Sequence, residues 1–119
     1  MKRLLFLSLG TAMLTTTGCH RTPENASEAQ ASTSALMIQY GCPACHVIRG
    51  VPGAVGKVGP SLDGLAQRSY LAGTLQNSPE NLVHWIEHPQ QIHPGTAMPE
   101  MGVTSRDARQ IAAFLGGSR

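Results

Sequence analysis

Apolar positions along this chain fall into short clusters separated by long stretches rich in glycine, proline and small polar residues. Leu36, Met37, Ile38 and Tyr40 supply the apolar positions of a helix predicted from Ala35 to about His46, with Ser34 as its N-cap. Residues 49–60 hold four glycines and two prolines and read as loop. A short helical turn is expected within Ser61 to Arg68. Asn77-Ser78-Pro79-Glu80 starts the next helix, with Ser78 as cap, Pro79 at the first helical position and Glu80 near the positive dipole end. Leu82, Val83, Trp85 and Ile86 carry it to Glu87, and Pro89 stops it. Residues 89–102 read as irregular, punctuated by Pro89, Pro94, Gly95, Pro99 and Gly102. Thr104 then caps a last helix with Asp107 at the N3 position. Ala108, Ile111, Ala112 and Leu115 fall at i, i+3, i+4 and i+7 on one stripe, and Gly116 is the expected stop. No strand pattern and no repeat is visible. The expected class is all-α: three or four short helices with long loops.

The first 34 residues read differently from the rest. Lys2 and Arg3 precede an apolar run of 11 residues, Leu4 to Leu14, too short to span a bilayer, which takes about 20 residues as a helix. This is the pattern of an export signal. Thr16-Thr17-Gly18-Cys19 resembles a bacterial lipobox, with Thr16 where leucine is usual. Residues 1–18 are therefore expected to be a lipoprotein-type signal peptide, with Cys19 as the lipidation site. Residues 19–34, polar and small, read as a flexible tether with a reach of roughly 20 Å. Residues 35–119 form the folded domain. The expected location is the periplasm, on a lipid anchor.

Composition narrows the picture. In a chain of 119 residues only 4% are aromatic, so one small domain must find its core elsewhere than in large side chains. A large bound group would supply it. From Cys19 onward seven basic residues balance seven acidic ones. No Lys/Arg cluster points to nucleic acid. The three cysteines are Cys19, Cys42 and Cys45.

Cys42-Pro43-Ala44-Cys45-His46 is the strongest chemical signal. Cys-x-x-Cys-His is the attachment pattern of a c-type haem. Two thiols on one helical turn can each form a thioether, and the following histidine can ligate the iron. The competing readings are a thiol redox pair or half of a zinc site. The remaining histidines, His20, His84, His88 and His93, include one pair at i, i+4, His84 and His88. If haem binds, the second axial ligand decides between electron transfer and open-site chemistry. Candidates are Met98, Met101, His84, His88 and His93. Met98 lies in Pro94-Gly95-Thr96-Ala97-Met98-Pro99, a loop suited to passing close to a flat ligand, and is the preferred candidate.

With Cys42-x-x-Cys45-His46, Gly59-Pro60-Ser61-Leu62 and Pro94 to Pro99 in that order, residues 35–116 resemble class I cytochrome c. Cys45 to Gly50, Val58 to Leu62, Ala72 to Leu75, Asn81 to Ile86 and Pro89-Gln90 look like the cytochrome c domain fused to subunit II of some bacterial haem–copper oxidases, here as a free-standing lipoprotein. The resemblance implies a small all-α cytochrome fold around one haem c, bonded at Cys42 and Cys45 and ligated by His46 and Met98. It implies that the Pro60 carbonyl accepts the Nδ1 proton of His46, that Arg68 pairs with a haem propionate and that Trp85 lies near the Met98 sulfur. Ile38, Ile111 and Phe114 are implied at a crossing of the terminal helices. The implied function is one-electron transfer in a respiratory chain. The chain is then a carrier rather than an enzyme, a monomer or a complex subunit, with a terminal oxidase or dehydrogenase as redox partner. Docking is expected at a mostly uncharged rim of Pro43, Ala44, Val51, Pro52, Ala54 and the Pro94–Met101 loop. The alternative function is a haem peroxidase or gas sensor with a labile Met98.

Overall fold

Helix α1, Pro23–Gln39, begins 12 residues before the expected start at Ala35. The computed structural model describes residues 23–117; the signal segment, Cys19 and His20 lie outside them. Much of the stretch expected as coil is therefore helix. Its small residues misled, because Ala26, Ala29, Ala31, Glu28 and Gln30 are strong helix formers as well as linker residues. Pro23 and Glu24 also suit a first turn. The segment is tied to the domain. Thr33 and Ser34 are buried, and Gln110 Nε2 donates to Ser32 Oγ at 3.2 Å and to Thr33 Oγ1 at 3.0 Å.

The expected continuous helix through His46 is broken at Gly41, whose φ of 78° lies in the left-handed region. A separate turn, α2, Cys42–Cys45, follows. After the loop of residues 46–64 comes a 3-10 turn, Leu65–Gln67. Two strands, β1, Tyr70–Leu71, and β2, Leu75–Gln76, pair antiparallel with Leu71 opposite Leu75. The fold is thus helix-rich with a small hairpin, and not strictly all-α. A two-residue strand is too short to show alternation. The hairpin turn places both Ala72 (φ 47°) and Gly73 (φ 82°) in the left-handed region. Alanine there hides the usual Asn-Gly or Asp-Gly turn signature.

Helix α3, Pro79–Glu87, starts at Ser78, whose hydroxyl accepts from the Asn81 amide at 3.1 Å. Pro89 ends it, yet also opens a further single turn, α4, Pro89–Ile92, in the region expected to be irregular. Helix α5, Ser105–Gly117, runs through Gly116. Thr104 Oγ1 accepts from the Asp107 amide at 3.2 Å.

Helix α5 packs against both α1 and α3, and its stripe of Ala108, Ile111, Ala112 and Leu115 is buried. Met37 is fully buried in the same core. Ile38, expected at the helix crossing, is 48% exposed. The inward face of α1 instead carries Met37 and, one turn earlier, Thr33 and Ser34.

A second tie joins the ends of the domain. Tyr40 donates its hydroxyl hydrogen to Asp107 Oδ2 at 2.7 Å. That bond, then the Thr104 hydroxyl and the Arg106 charge, hold the Asp107 carboxyl below its ordinary 3.8. A pKa lowered by folding stabilises the fold above the unfolded value and ceases to do so as pH falls through the folded one. Wild-type protein is therefore expected to be more stable than Tyr40→Phe at neutral pH. The gap should narrow below pH 3.8, as read by urea unfolding at a series of pH values. A gap independent of pH would show that the ionised carboxyl does not hold the pair.

Candidate cofactor site

The Cys-x-x-Cys-His segment is held by the loop that follows it. The Gly56 amide donates to the Pro43 carbonyl at 3.2 Å, the Gly59 amide to the Cys45 carbonyl at 2.8 Å and the Leu62 amide to the Val47 carbonyl at 2.9 Å. The His46 ring is fixed from outside the turn, with Nδ1 donating to the Pro60 carbonyl at 2.7 Å. Because a carbonyl only accepts, this bond puts the proton on Nδ1 and leaves Nε2 as the lone-pair nitrogen. Gly59 lies against the same ring. A Cβ there would press on Cε1 and stand 2.7 Å from Nδ1 and 2.9 Å from Nε2. A glycine in a loop was legible in the sequence; its need to let an imidazole pass was not.

A cavity of about 590 Å³ lies beside this turn. Cys42, Cys45, His46 and Met98 all border it, as do Pro60, Arg68 and Trp85. The sequence candidates thus come together in one place from α2, the loops, α3 and the segment after α4. Their surroundings are apolar: Met37, Leu65, Leu71, Leu82, Ile86 and Ile111 also line the walls. Arg68 is the one Lys or Arg among the lining residues, and no Asp or Glu is among them. Its Nη2 donates to the Ser61 carbonyl at 2.6 Å and the Asp63 carbonyl at 3.3 Å. Asn77 steadies this corner by donating through Nδ2 to the Leu65 and Arg68 carbonyls, both at 2.8 Å.

Of the five candidates for a second ligand, Met98, Met101 and His93 border the cavity, and His84 and His88 do not. The Met101 methyl packs near Gly41, 3.5 Å from where a Cβ would stand. His84 and His88 are exposed and stack edge-on at 5.8 Å. Among the described residues no three His, Cys, Asp or Glu side chains come together as a metal cage.

Cys42 and Cys45 are unbridged. Burial pushes the Cys42 thiol above its ordinary value, and the neighbouring Cys45 adds to the rise. A redox-active pair needs the opposite shift, toward thiolate.

The rim differs from expectation. Val51 and Ala54 are each only 6% exposed and belong to the same core as Ile48, whose amide donates to the Ala54 carbonyl at 3.3 Å. The exposed apolar residues of this loop are Val55 and Val58. Sequence reasoning took Gln90 only as part of the resemblance and gave it no role; it turns its side chain onto the Met98 loop. Its place directly after Pro89, just ahead of the Pro94 to Pro99 loop, was the available signal.

The fold and the site together describe a small helix-rich domain with a Cys-x-x-Cys-His turn beside an apolar, cofactor-sized cavity. Over 75 residues the chain is 33% identical to cytochrome c oxidase subunit 2 of Alkalihalophilus pseudofirmus, a match covering 62% of this chain and 21% of that protein. The chain thus spans about a fifth of the length of the curated relative it matches. No protein-family model matches the chain. No solved structure matches it.

Proposed function

We propose that this chain is a mono-haem c-type cytochrome that carries single electrons in a bacterial respiratory chain, with His46 and Met98 as axial ligands. The observation that carries the reading is the convergence of both thiols, the His46 imidazole and the Met98 thioether on one apolar cavity. A volume of about 590 Å³ falls in the range of cofactor pockets. Thiols, imidazole and thioether are the donor set of c-type haem attachment and ligation. The likeness to an oxidase subunit supports a respiratory setting and an oxidase as redox partner or host complex.

When bound, haem supplies a reversible one-electron couple at iron. Cys42 and Cys45 would hold the group covalently. His46 is oriented for ligation through Nε2, since Nδ1 is engaged by Pro60, and such a partner raises ligand basicity. Arg68 would meet a cofactor carboxylate, as the one Lys or Arg among the lining residues. Leu65, Leu82, Trp85 and Ile86, which line the cavity, would exclude water from the bound group. Cys19, outside the described residues, would tether the protein by lipid to the outer face of a membrane.

Mass spectrometry of the mature protein tests this reading. One haem covalently bound to the peptide holding Cys42 and Cys45 is expected, with acyl chains on Cys19. The ferric protein should show the far-red band of iron–sulfur ligation. A mature protein without covalent haem would overturn the proposal; covalent haem without that band would remove Met98 as ligand, leaving an open site or ligation by His93, which borders the same cavity.

A further inference from the structure

The loop bearing Met98 makes one turn of its own, the Thr96 amide donating to the His93 carbonyl at 3.1 Å. A further set of bonds reaches it from the Gln90 side chain in the preceding turn. Gln90 Nε2 donates to the Thr96 carbonyl at 2.8 Å and to the Met98 carbonyl at 2.7 Å. Gln90 Oε1 accepts from the Gly95 amide at 3.1 Å. Both amide hydrogens and the carbonyl oxygen of Gln90 are therefore spent on one loop. The arrangement admits only one orientation of the amide, because two carbonyls need donors and one N–H needs an acceptor.

The base of this clamp is rigid. Pro89 is fully buried, and the Gln90 backbone amide donates to Glu100 Oε1 at 3.1 Å. Glu100 Oε2 in turn lies 3.7 Å from His88 Nδ1. The segment from Gly95 to Glu100 is thus pinned near its start by the Gln90 side chain, at Met98 by the same side chain, and at its end by the Gln90 backbone. Gly95 has a φ of 83°, so the loop turns sharply just where the clamp grips it.

We propose that Gln90 is the positioning residue for Met98: it presets the loop backbone so that the thioether stays on the cavity without help from the iron. This rests on the reading of Met98 as axial ligand. Gln90 is not among the residues that line the cavity. It acts through the Met98 carbonyl, and its removal should free the ligand to leave while His46 and the thioethers hold.

The test compares wild-type holoprotein with Gln90→Leu and Gln90→Glu. Covalent haem content is measured first, then the ferric iron–sulfur band, then the affinity of the ferric protein for imidazole. Gln90→Leu keeps the approximate side-chain size and removes the three side-chain bonds of the clamp, leaving the backbone bond to Glu100. It is expected to weaken the band and to raise imidazole affinity at least about tenfold, a shift that one or two of the three lost hydrogen bonds would supply. Gln90→Glu at neutral pH places a carboxylate against two carbonyl oxygens and should weaken the band likewise. As pH falls through the usual carboxylate range, near 4.3, the introduced carboxyl regains one donor, and the band should partly recover relative to wild type. His88, His93 and Glu100, the titratable groups nearest the clamp, are common to both proteins and cancel in that comparison. A role in folding alone would lower stability without this opposite-signed pH profile.

If wild type shows the band and both variants keep it with unchanged imidazole affinity, the clamp plays no part in ligation and the inference is wrong. Should Gln90→Leu fail to mature, the pH profile of Gln90→Glu decides alone, and a flat profile overturns the proposal. If wild type itself binds haem covalently but lacks the band, Met98 is not the ligand; it is then the proposed function that fails, and the clamp inference with it.

Discussion

Gly59→Ala is expected to displace the His46 ring and to cost the protein several kcal/mol. The new Cβ would press on Cε1 and stand 2.7 Å from Nδ1 and 2.9 Å from Nε2, far inside ordinary contact. The imidazole cannot simply swing aside, because Nδ1 is bonded to the Pro60 carbonyl at 2.7 Å. Nor can the loop lift easily, because the Gly59 amide is bonded to the Cys45 carbonyl at 2.8 Å. Overpacking of this kind typically costs about 1–3 kcal/mol, and loss of the ring's hydrogen bond adds roughly 1 kcal/mol. Urea unfolding measures the loss. Gly116→Ala is the matched control, since a Cβ there meets nothing within 4 Å and alanine favours the helix. If the two substitutions proved equally mild, the close approach of Gly59 to His46 would not constrain the fold. The same variant reports on the proposed function, because a turned imidazole should change the spectrum of a haem bound at Cys42 and Cys45.

The second large effect is expected at Met98. Under the proposed function, Met98→Ala leaves the covalent attachment and His46 in place and removes the thioether. The ferric iron–sulfur band should disappear. The reduction potential should fall, on the order of 100 mV or more within the roughly 0.8 V that axial ligands span, because a soft thioether favours ferrous iron. Met101→Ala separates ligation from packing. Met101 borders the same cavity but packs against the core beside Gly41. Its truncation should lower stability and retain the band. Exchange of these two outcomes would transfer the ligand role to Met101.

These effects differ in how much of them the chain displays locally. The start of α3 could be read directly, since Ser78, Pro79 and Glu80 carry their capping preferences in adjacent positions. The buried stripe of α5 was equally plain, because one helical period repeats over eight residues. The hairpin was hidden by its length and by Ala72 in a turn that glycine or asparagine usually occupies. The extent of α1 was hidden because alanine, glutamate and glutamine serve both linkers and helices. What decided between the two was burial of Thr33 and Ser34 and the bonds from Gln110, a residue 77 positions beyond Thr33.

The site divides in the same way. Sequence alone determined the candidate chemistry, because Cys42, Cys45 and His46 are neighbours within one turn and their spacing is the signal. It also determined that Met98 lies in a loop able to pass close to a ligand. Only the tertiary structure decided that His93 and Met101 share the cavity while His84 and His88 do not, that Gly59 and Pro60 set the His46 ring, that Val51 and Ala54 are covered, and that Gln90 holds the Met98 backbone. Tyr40 and Asp107, 67 residues apart, are of the same kind. Such contacts join positions with no common period along the chain, so no local pattern can encode them. They exist only once packing has brought the segments together.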